Sequence, residues 1–437
     1  MADIRPFRGV RYDGSLGNPA DLICPPYDII SPEEQQALYR RSQYNFVRIE
    51  YNLALPGDNE TSNRYTRARA ALEEWLKAGV LKQDERPAVY LHDHGFTHGD
   101  RKLTRRGVIA AVRLEDWDKG VVRPHEDTMP TPKSDRLNLL ASLQANTSGI
   151  MALYDRPELL PVLEAGKKAP PAVRFQTSGE THELWPITGG DAVAAVRAQL
   201  AAQPLYIADG HHRYESALAY ARQRRAGAGE AEMPSDFVMM TLIELHDPGL
   251  VILPTHRLAR GIPAAQAGAF PAKLRELFEV AELPDSAAGW EEVDRRLSAS
   301  GPVRLVVFGA LEDRTLVLTA RDPSSFNGMM PGGHSEIYKS LDVSLVDHVI
   351  LDKLLGITRE RQESSLGYTH DRQEAAGRVR IGEYRLAFIM GPVRAGTIKA
   401  VADAGDRMPR KSSYFYPKLP SGLVVYRFGN PAPSEGV

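Results

Sequence analysis

Leu205-Tyr206-Ile207-Ala208-Asp209-Gly210-His211-His212-Arg213-Tyr214-Glu215-Ser216-Ala217-Leu218 is the stretch on which the fold of this chain turns. A short apolar run ends in Asp-Gly and helical spacing begins within the next few residues, so the segment predicts a strand, a tight turn and a helix. Gly210 permits a backbone conformation that other residues resist, and the start of a helix carries unpaired N–H groups and partial positive charge. Such a turn suits an anion. Arg213 can grip a phosphate through two parallel hydrogen bonds, and His211 or His212 can donate to phosphate oxygens or move a proton. Asp209 is the awkward member, because a carboxylate repels phosphate unless it caps the helix or holds Mg²⁺.

Working outward, residues 191–203 read as a helix before this unit, and FVMMTLIEL and GLVILP after Ser235 read as buried strands. Upstream, apolar residues at three-and-four spacing predict a helix over 63–81, followed by strands at 87–94 and 105–114 and a polar, proline-rich loop over 121–136. Downstream, helices are expected at 264–280, 286–298 and 343–355, strands at 303–308 and 314–320, and a closing strand, helix, loop and strand over 384–428. Low-complexity pieces such as 165–172 and 224–235 are short loops. The order is mixed α/β (α+β) throughout. Three regions are expected, 1–115, 116–255 and 256–437, with interleaving allowed.

Composition narrows the function classes. The 437 residues carry 54 Lys plus Arg and 56 Asp plus Glu, a formal charge of −2, so no general attraction to nucleic acid or anionic lipid is expected. Any bound anion must be held locally. The one cysteine, Cys24, excludes an internal disulfide and a multi-thiolate zinc site. No apolar run reaches the roughly 18 residues of a membrane span, and MADIRPFRGVRYDG has no apolar core of an export signal, so a cytoplasmic setting is expected. A homo-oligomer is compatible with all of this.

Three outer segments concentrate chemistry. Cys24-Pro25-Pro26-Tyr27-Asp28 and the strand-like Tyr44 to Tyr51, which contains Arg48, lie near the start. Pro124-His125-Glu126-Asp127-Thr128 pairs an imidazole with two carboxylates, with Lys133, Asp135 and Arg136 close behind. Arg407 to Lys418 gathers cations, hydroxyls and the aromatics Tyr414, Phe415 and Tyr416, whose alternation fits a strand better than a base-stacking platform. His92, His94 and His98 form an HxHxxxH set that reads as an exposed strand edge rather than a metal site.

The Gly-His-His-Arg turn resembles the phosphate loop of the ParB and sulfiredoxin superfamily, and Asp-Gly-His-His-Arg is similar to the version in free-serine kinases of that superfamily. His211 stands at the sulfiredoxin cysteine position, so that chemistry is excluded, and no helix-turn-helix supports DNA partitioning. Across nearly the whole chain, from PFRGVRY to YFYPKLPSGLVVYRF, the sequence resembles the bacterial and archaeal family called domain of unknown function one-thousand-and-fifteen. Its members are often labelled ParB-like and are reported alongside serine-biosynthesis genes. This chain departs from the pattern at Arg410 and Ser413, where glutamine or histidine and threonine are expected.

The resemblance implies a ParB/sulfiredoxin-like core with additional α/β regions and a nucleotide-binding function, with ATP, ADP or CTP and Mg²⁺ as ligands. Phosphoryl transfer needs cations and oriented N–H groups around phosphates and a carboxylate at the attacking hydroxyl. Gly210, His211, His212 and Arg213 would cradle phosphates, with Lys411 and Ser412 as a second clamp. Glu126 would serve the acceptor hydroxyl, with His125 and His212 as further proton-transfer candidates, and Asp209 would hold metal. Arg48 and Arg136 are candidate anchors for an acceptor carboxylate such as that of serine. A small-molecule kinase is the leading expectation; a ParB-like nucleotide-binding scaffold and a metal-dependent phosphohydrolase built on His125, His211 and His212 are the alternatives.

Overall fold

The computed structural model describes residues 1–128, 130–226, 231–299 and 304–429. Residues 227–230 of the low-complexity stretch, Met129 of the expected loop and Val303 of an expected strand lie outside them. The chain divides into two compact units: Met1–Pro124 with Thr128–Val251 and the residues from Pro417 onward, and His125–Asp127 with Ile252–Tyr416.

Among the described residues of the first unit, nine strands build one mixed sheet: β1 (Ile4–Arg5), β2 (Val89–His98), β3 (Arg101–Arg113), β4 (Val122–Arg123), β5 (Ile150–Tyr154), β6 (Val173–Thr177), β7 (Glu180–Ile187), β8 (Leu205–Asp209) and β9 (Phe237–Glu244). The order is β4-β8-β5-β9-β3-β2-β7-β6, with β1 paired to β3. β9 runs parallel to β5 and antiparallel to β3, and all eight of its residues are buried, as expected for a strand covered on both faces. Helices α1 (Val47–Glu50), α2 (Arg64–Lys77), α3 (Pro130–Leu143), α4 (Gly190–Ala201) and α5 (His211–Arg225) belong to the same unit. Asn63 caps α2 reciprocally with Thr66, which places its start one residue after the expected boundary.

Two expectations are corrected here. The segment around Arg48 is a short helix, not a strand: the Asn45 side-chain oxygen accepts the Val47 N–H at 3.0 Å, and its amide donates to the Asp21 and Ile23 carbonyls. That local turn starts the helix and buries Val47, Ile49 and Glu50. The expected loop over 121–136 gives way to α3, whose prolines 130 and 132 sit in the first turn, where a missing N–H costs nothing. Leu139, Leu140 and Leu143 are buried along it.

In the second unit, β10 (His256–Ala259), β11 (Phe278–Pro284), β12 (Arg304–Leu311), β13 (Arg314–Ala320), β14 (Leu366–Thr369) and β15 (Leu386–Met390) form a sheet in the order β11-β13-β12-β15-β10-β14. It is accompanied by α6 (Ala264–Leu277), α7 (Ala287–Ser298), α8 (Arg372–Arg380) and α9 (Ala395–Asp403). Residues 345–354 are helical with π-type hydrogen bonding. Tyr414–Tyr416 is a strand with Phe415 buried and its two neighbours half-buried, the alternation its sequence predicts.

Candidate functional site

The central turn forms as its sequence dictates. Leu205 to Ala208 are buried, and β8 ends at Asp209 after a shift in its register with β5 between Ile207 and Asp209. Gly210 takes φ 95° and ψ 27° in the N-cap position, and α5 begins at His211. The positive φ favours glycine at 210, and a Cβ there would lie 2.9 Å from Arg213 Nε and displace the guanidinium. The Gly210 carbonyl accepts the Tyr214 N–H at 3.0 Å and closes the first turn of the helix. His211 is buried and His212 half-buried on that turn.

Asp209 does not cap the helix. Its Oδ2 accepts from Arg213 Nη2 at 2.5 Å, and its Oδ1 accepts from Lys418 Nζ at 2.5 Å. Arg213 Nη1 donates to the Gly149 carbonyl at 2.7 Å. The three charged side chains are only 17%, 11% and 8% exposed for Asp209, Arg213 and Lys418. Burial alone would raise the Asp209 carboxyl, but Lys418 and Arg213, aided by His211, hold it well below the usual carboxylate range. A carboxylate with a cation on each oxygen is a poor Mg²⁺ ligand, so the expected metal role does not fit this residue. Arg213 is likewise committed to Asp209 and Gly149, which fixes its position rather than leaving it as a bare fork.

A cavity of about 40 Å³ opens within the first unit, lined in part by Arg136, Asn146, Thr147, Ser148, Arg213 and Ser216. Arg136 is 6% exposed and sits 3.8 Å from the Tyr27 ring centroid. Its Nε and Nη2 donate to Asp135 Oδ2 at 2.8 and 2.5 Å, and its Nη1 reaches Glu50 Oε1 at 3.3 Å. Glu50, fully buried, also accepts from Thr147 Oγ1 and, at 3.1 Å, from Ser148 Oγ. Thus one carboxylate braces three of the lining residues. On α5, Glu215 Oε2 accepts from Thr128 Oγ1 and Lys133 Nζ, both at 2.8 Å. Arg48 lies apart from this lining: its Nη2 donates to the Tyr39 carbonyl at 3.0 Å and its guanidinium covers the Tyr39 ring.

The remaining sequence candidates form a knot in the second unit. Met408 N–H donates to the His125 carbonyl at 2.7 Å, and Lys411 N–H donates to Glu126 Oε1 at 2.8 Å. His125, fully buried, is 2.8 Å from Ser413 Oγ through Nε2, and Ser412 Oγ donates to the Pro409 carbonyl. Lys411 has φ 60°, a left-handed conformation uncommon for a lysine. Arg257, fully buried, holds Asp347 at 2.7 Å and reaches the carbonyls of Arg410 and Lys411 at 3.3 and 3.4 Å.

Sequence reasoning singled out neither Lys418 nor Glu50. Lys418 closes the cation-rich tail segment, and its charge was the available signal; Glu50 gave none beyond standing in an apolar run. The His set also differs from expectation. His92 and His94 are 2% and 0% exposed, because β2 is an interior strand flanked by β3 and β7. His94 Nε2 is 2.7 Å from Glu180 Oε2, His92 Nε2 is 3.1 Å from His182 Nδ1, and Arg105 Nη2 is 3.2 Å from His94 Nδ1.

The family described as "Protein of unknown function (DUF1015)" matches residues 4–344. The chain belongs to this family. No curated protein matches the chain significantly. Among solved structures, this DUF1015 protein is similar to a conserved hypothetical protein from Pyrococcus furiosus, at 13% identity, 72% coverage of this chain, 93% of the other and a TM-score of 0.34. It is similar also to a free serine kinase mutant in complex with ADP, at 12% identity, 71% and 87% coverage and a TM-score of 0.35. A third, SbnI with a C-terminal truncation from Staphylococcus aureus, shows 11% identity, 71% and 84% coverage and a TM-score of 0.31. Among the described residues, no helix is long and apolar enough to cross a membrane.

Proposed function

We propose that this DUF1015 protein is a nucleotide-dependent phosphotransferase acting on a small hydroxyl-bearing metabolite, with free serine the first acceptor to test. The supporting observation is the β8–Gly210–α5 turn, a left-handed glycine at the positive end of a fifteen-residue helix. Gly210, His211 and His212 contact phosphate there, and Asp209 with Lys418 fixes Arg213 in place. Arg136, which lines the cavity, is the proposed anchor for an acceptor carboxylate, which would compete for it with Asp135 and Glu50. His212 is the proposed proton-transfer residue at the turn. Glu126, His125, Lys411 and Ser412 belong to the second unit and receive no role at this turn. Arg48, engaged with Tyr39, receives no substrate role.

The test is thermal unfolding with ATP, ADP, AMP or CTP in the presence of Mg²⁺, followed by a search for phosphorylated product from labelled nucleotide and hydroxy amino acids. A nucleotide at about a hundred times its Kd raises stability by about 2.7 kcal/mol, which is readily seen. Gly210→Ala abolishes that protection. If no nucleotide shifts the transition, the reading fails; if nucleotide protects but no acceptor is phosphorylated, transfer is excluded while binding stands.

A further inference from the structure

Two side-chain clusters among the described residues bring three metal-ligating groups within 4.8 Å of one another: His94, Glu180 and His182, and Asp155, Glu244 and His246. The first is already closed by hydrogen bonds. Arg105 donates to His94 Nδ1, which puts the imidazole proton on Nε2, where it is donated to Glu180. A divalent ion there would have to displace that proton and would join a buried guanidinium beside a single carboxylate, leaving a net charge of about +2 in the interior.

The second cluster has the opposite balance. Glu244 ends β9 and stands opposite Tyr154 of the parallel strand β5, so Asp155 and Glu244 lie at the adjoining carboxyl ends of two strands. Glu244 is 1% exposed; its Oε2 accepts the His246 N–H at 2.5 Å, but its Oε1 is buried with no hydrogen-bond partner. Leaving such an oxygen unsatisfied is costly, and an ion or water is the usual explanation. His246 Nε2 is 3.8 Å from Asp155 Oδ1, and these two side chains are 71% and 38% exposed, so the cluster is reachable from solvent. Nearby Asp247 is occupied, accepting the N–H groups of Arg106 and Gly249. Two carboxylates and a neutral imidazole balance a divalent ion.

We propose that Asp155, Glu244 and His246 bind one divalent cation of the Mn²⁺ or Zn²⁺ class, for which a mixed oxygen and imidazole set is suited. The site lies at the end of β5 opposite to Asp209, which pairs with Met151 at the start of that strand, so it is separate from the turn and independent of the proposed transfer reaction. Its role is to tie the ends of β5 and β9 together.

The test is calorimetric titration of the full chain with Mn²⁺ and with Zn²⁺, without nucleotide. One ion per chain is expected, with a rise in melting temperature. Because His246 is exposed, His246→Ala leaves the metal-free melting temperature unchanged and weakens binding by about tenfold or more. Asp155→Asn does the same, and Glu244→Gln removes binding if it folds. Absence of binding up to about 1 mM of both ions overturns the proposal. So does binding that His246→Ala and Asp155→Asn leave intact.

Discussion

Asp209 and Glu126 are both acidic residues in segments that the sequence marks as chemical, yet they do different work. Asp209 takes a cation on each oxygen, Arg213 from one turn of helix away and Lys418 from more than two hundred residues away. Glu126 takes a backbone N–H, that of Lys411, in a loop whose carbonyls are held by Arg257. The first is an electrostatic node that fixes charged groups beside the glycine turn. The second braces a backbone bend in the other unit. A carboxylate's role here is set by what donates to it.

Breaking the Asp209 node has the largest expected effect. Asp209→Asn leaves Lys418 and Arg213 without their counter-charge and costs about 3–5 kcal/mol in urea unfolding, because removing one member of a buried pair strands the others. The Asp209→Asn, Lys418→Met double variant recovers part of that loss. A cost under about 1 kcal/mol for the single change would show the node to be solvated.

A pH titration of stability sharpens the contrast next. Burial pushes His94 down to about 3, although its bond to Glu180 works the other way, and Glu180 is lowered to about 2 despite its own burial by the nearby His182 and its bond to His94. Between about 6.5 and 3 the unfolded chain binds a proton that native His94 refuses, so stability falls as pH falls through that range. Glu180 adds a further loss as pH drops below its unfolded value toward 2. Each pH unit is worth about 1.4 kcal/mol per group, so about 2–3 kcal/mol is lost by pH 4.5. His94→Gln makes this limb shallower without removing it, because burial also pushes His92 well down.

Smaller effects are expected at the second carboxylate. Glu126→Ala removes the acceptor for the Lys411 N–H and costs about 1–2 kcal/mol in the same unfolding assay, whereas Glu126→Gln keeps an acceptor and costs less. Lys411→Gly relieves a left-handed lysine and changes stability by no more than about 1 kcal/mol, upward or neutral.

The strand, turn and helix around Gly210 were legible because the information is local: apolar residues, then glycine, then helical spacing. The same reasoning missed α3, since prolines that look like loop punctuation also start helices, and it misread Tyr44 to Tyr51, where the Asn45 side chain overrides strand-like residues. It placed His92 and His94 on one face of a strand but could not see that β3 and β7 flank that strand in the sheet.

By itself the sequence determined the mixed α/β class, the family and the glycine turn with its crowd of imidazole and guanidinium groups, because backbone freedom and hydrophobic periodicity act over a few residues. Only the tertiary structure decided that Lys418 answers Asp209, that Arg136 and Arg213 line one cavity, and that Glu50 braces it. Those outcomes depend on which distant segments meet, and a buried charge takes its partner from whatever the fold brings within reach.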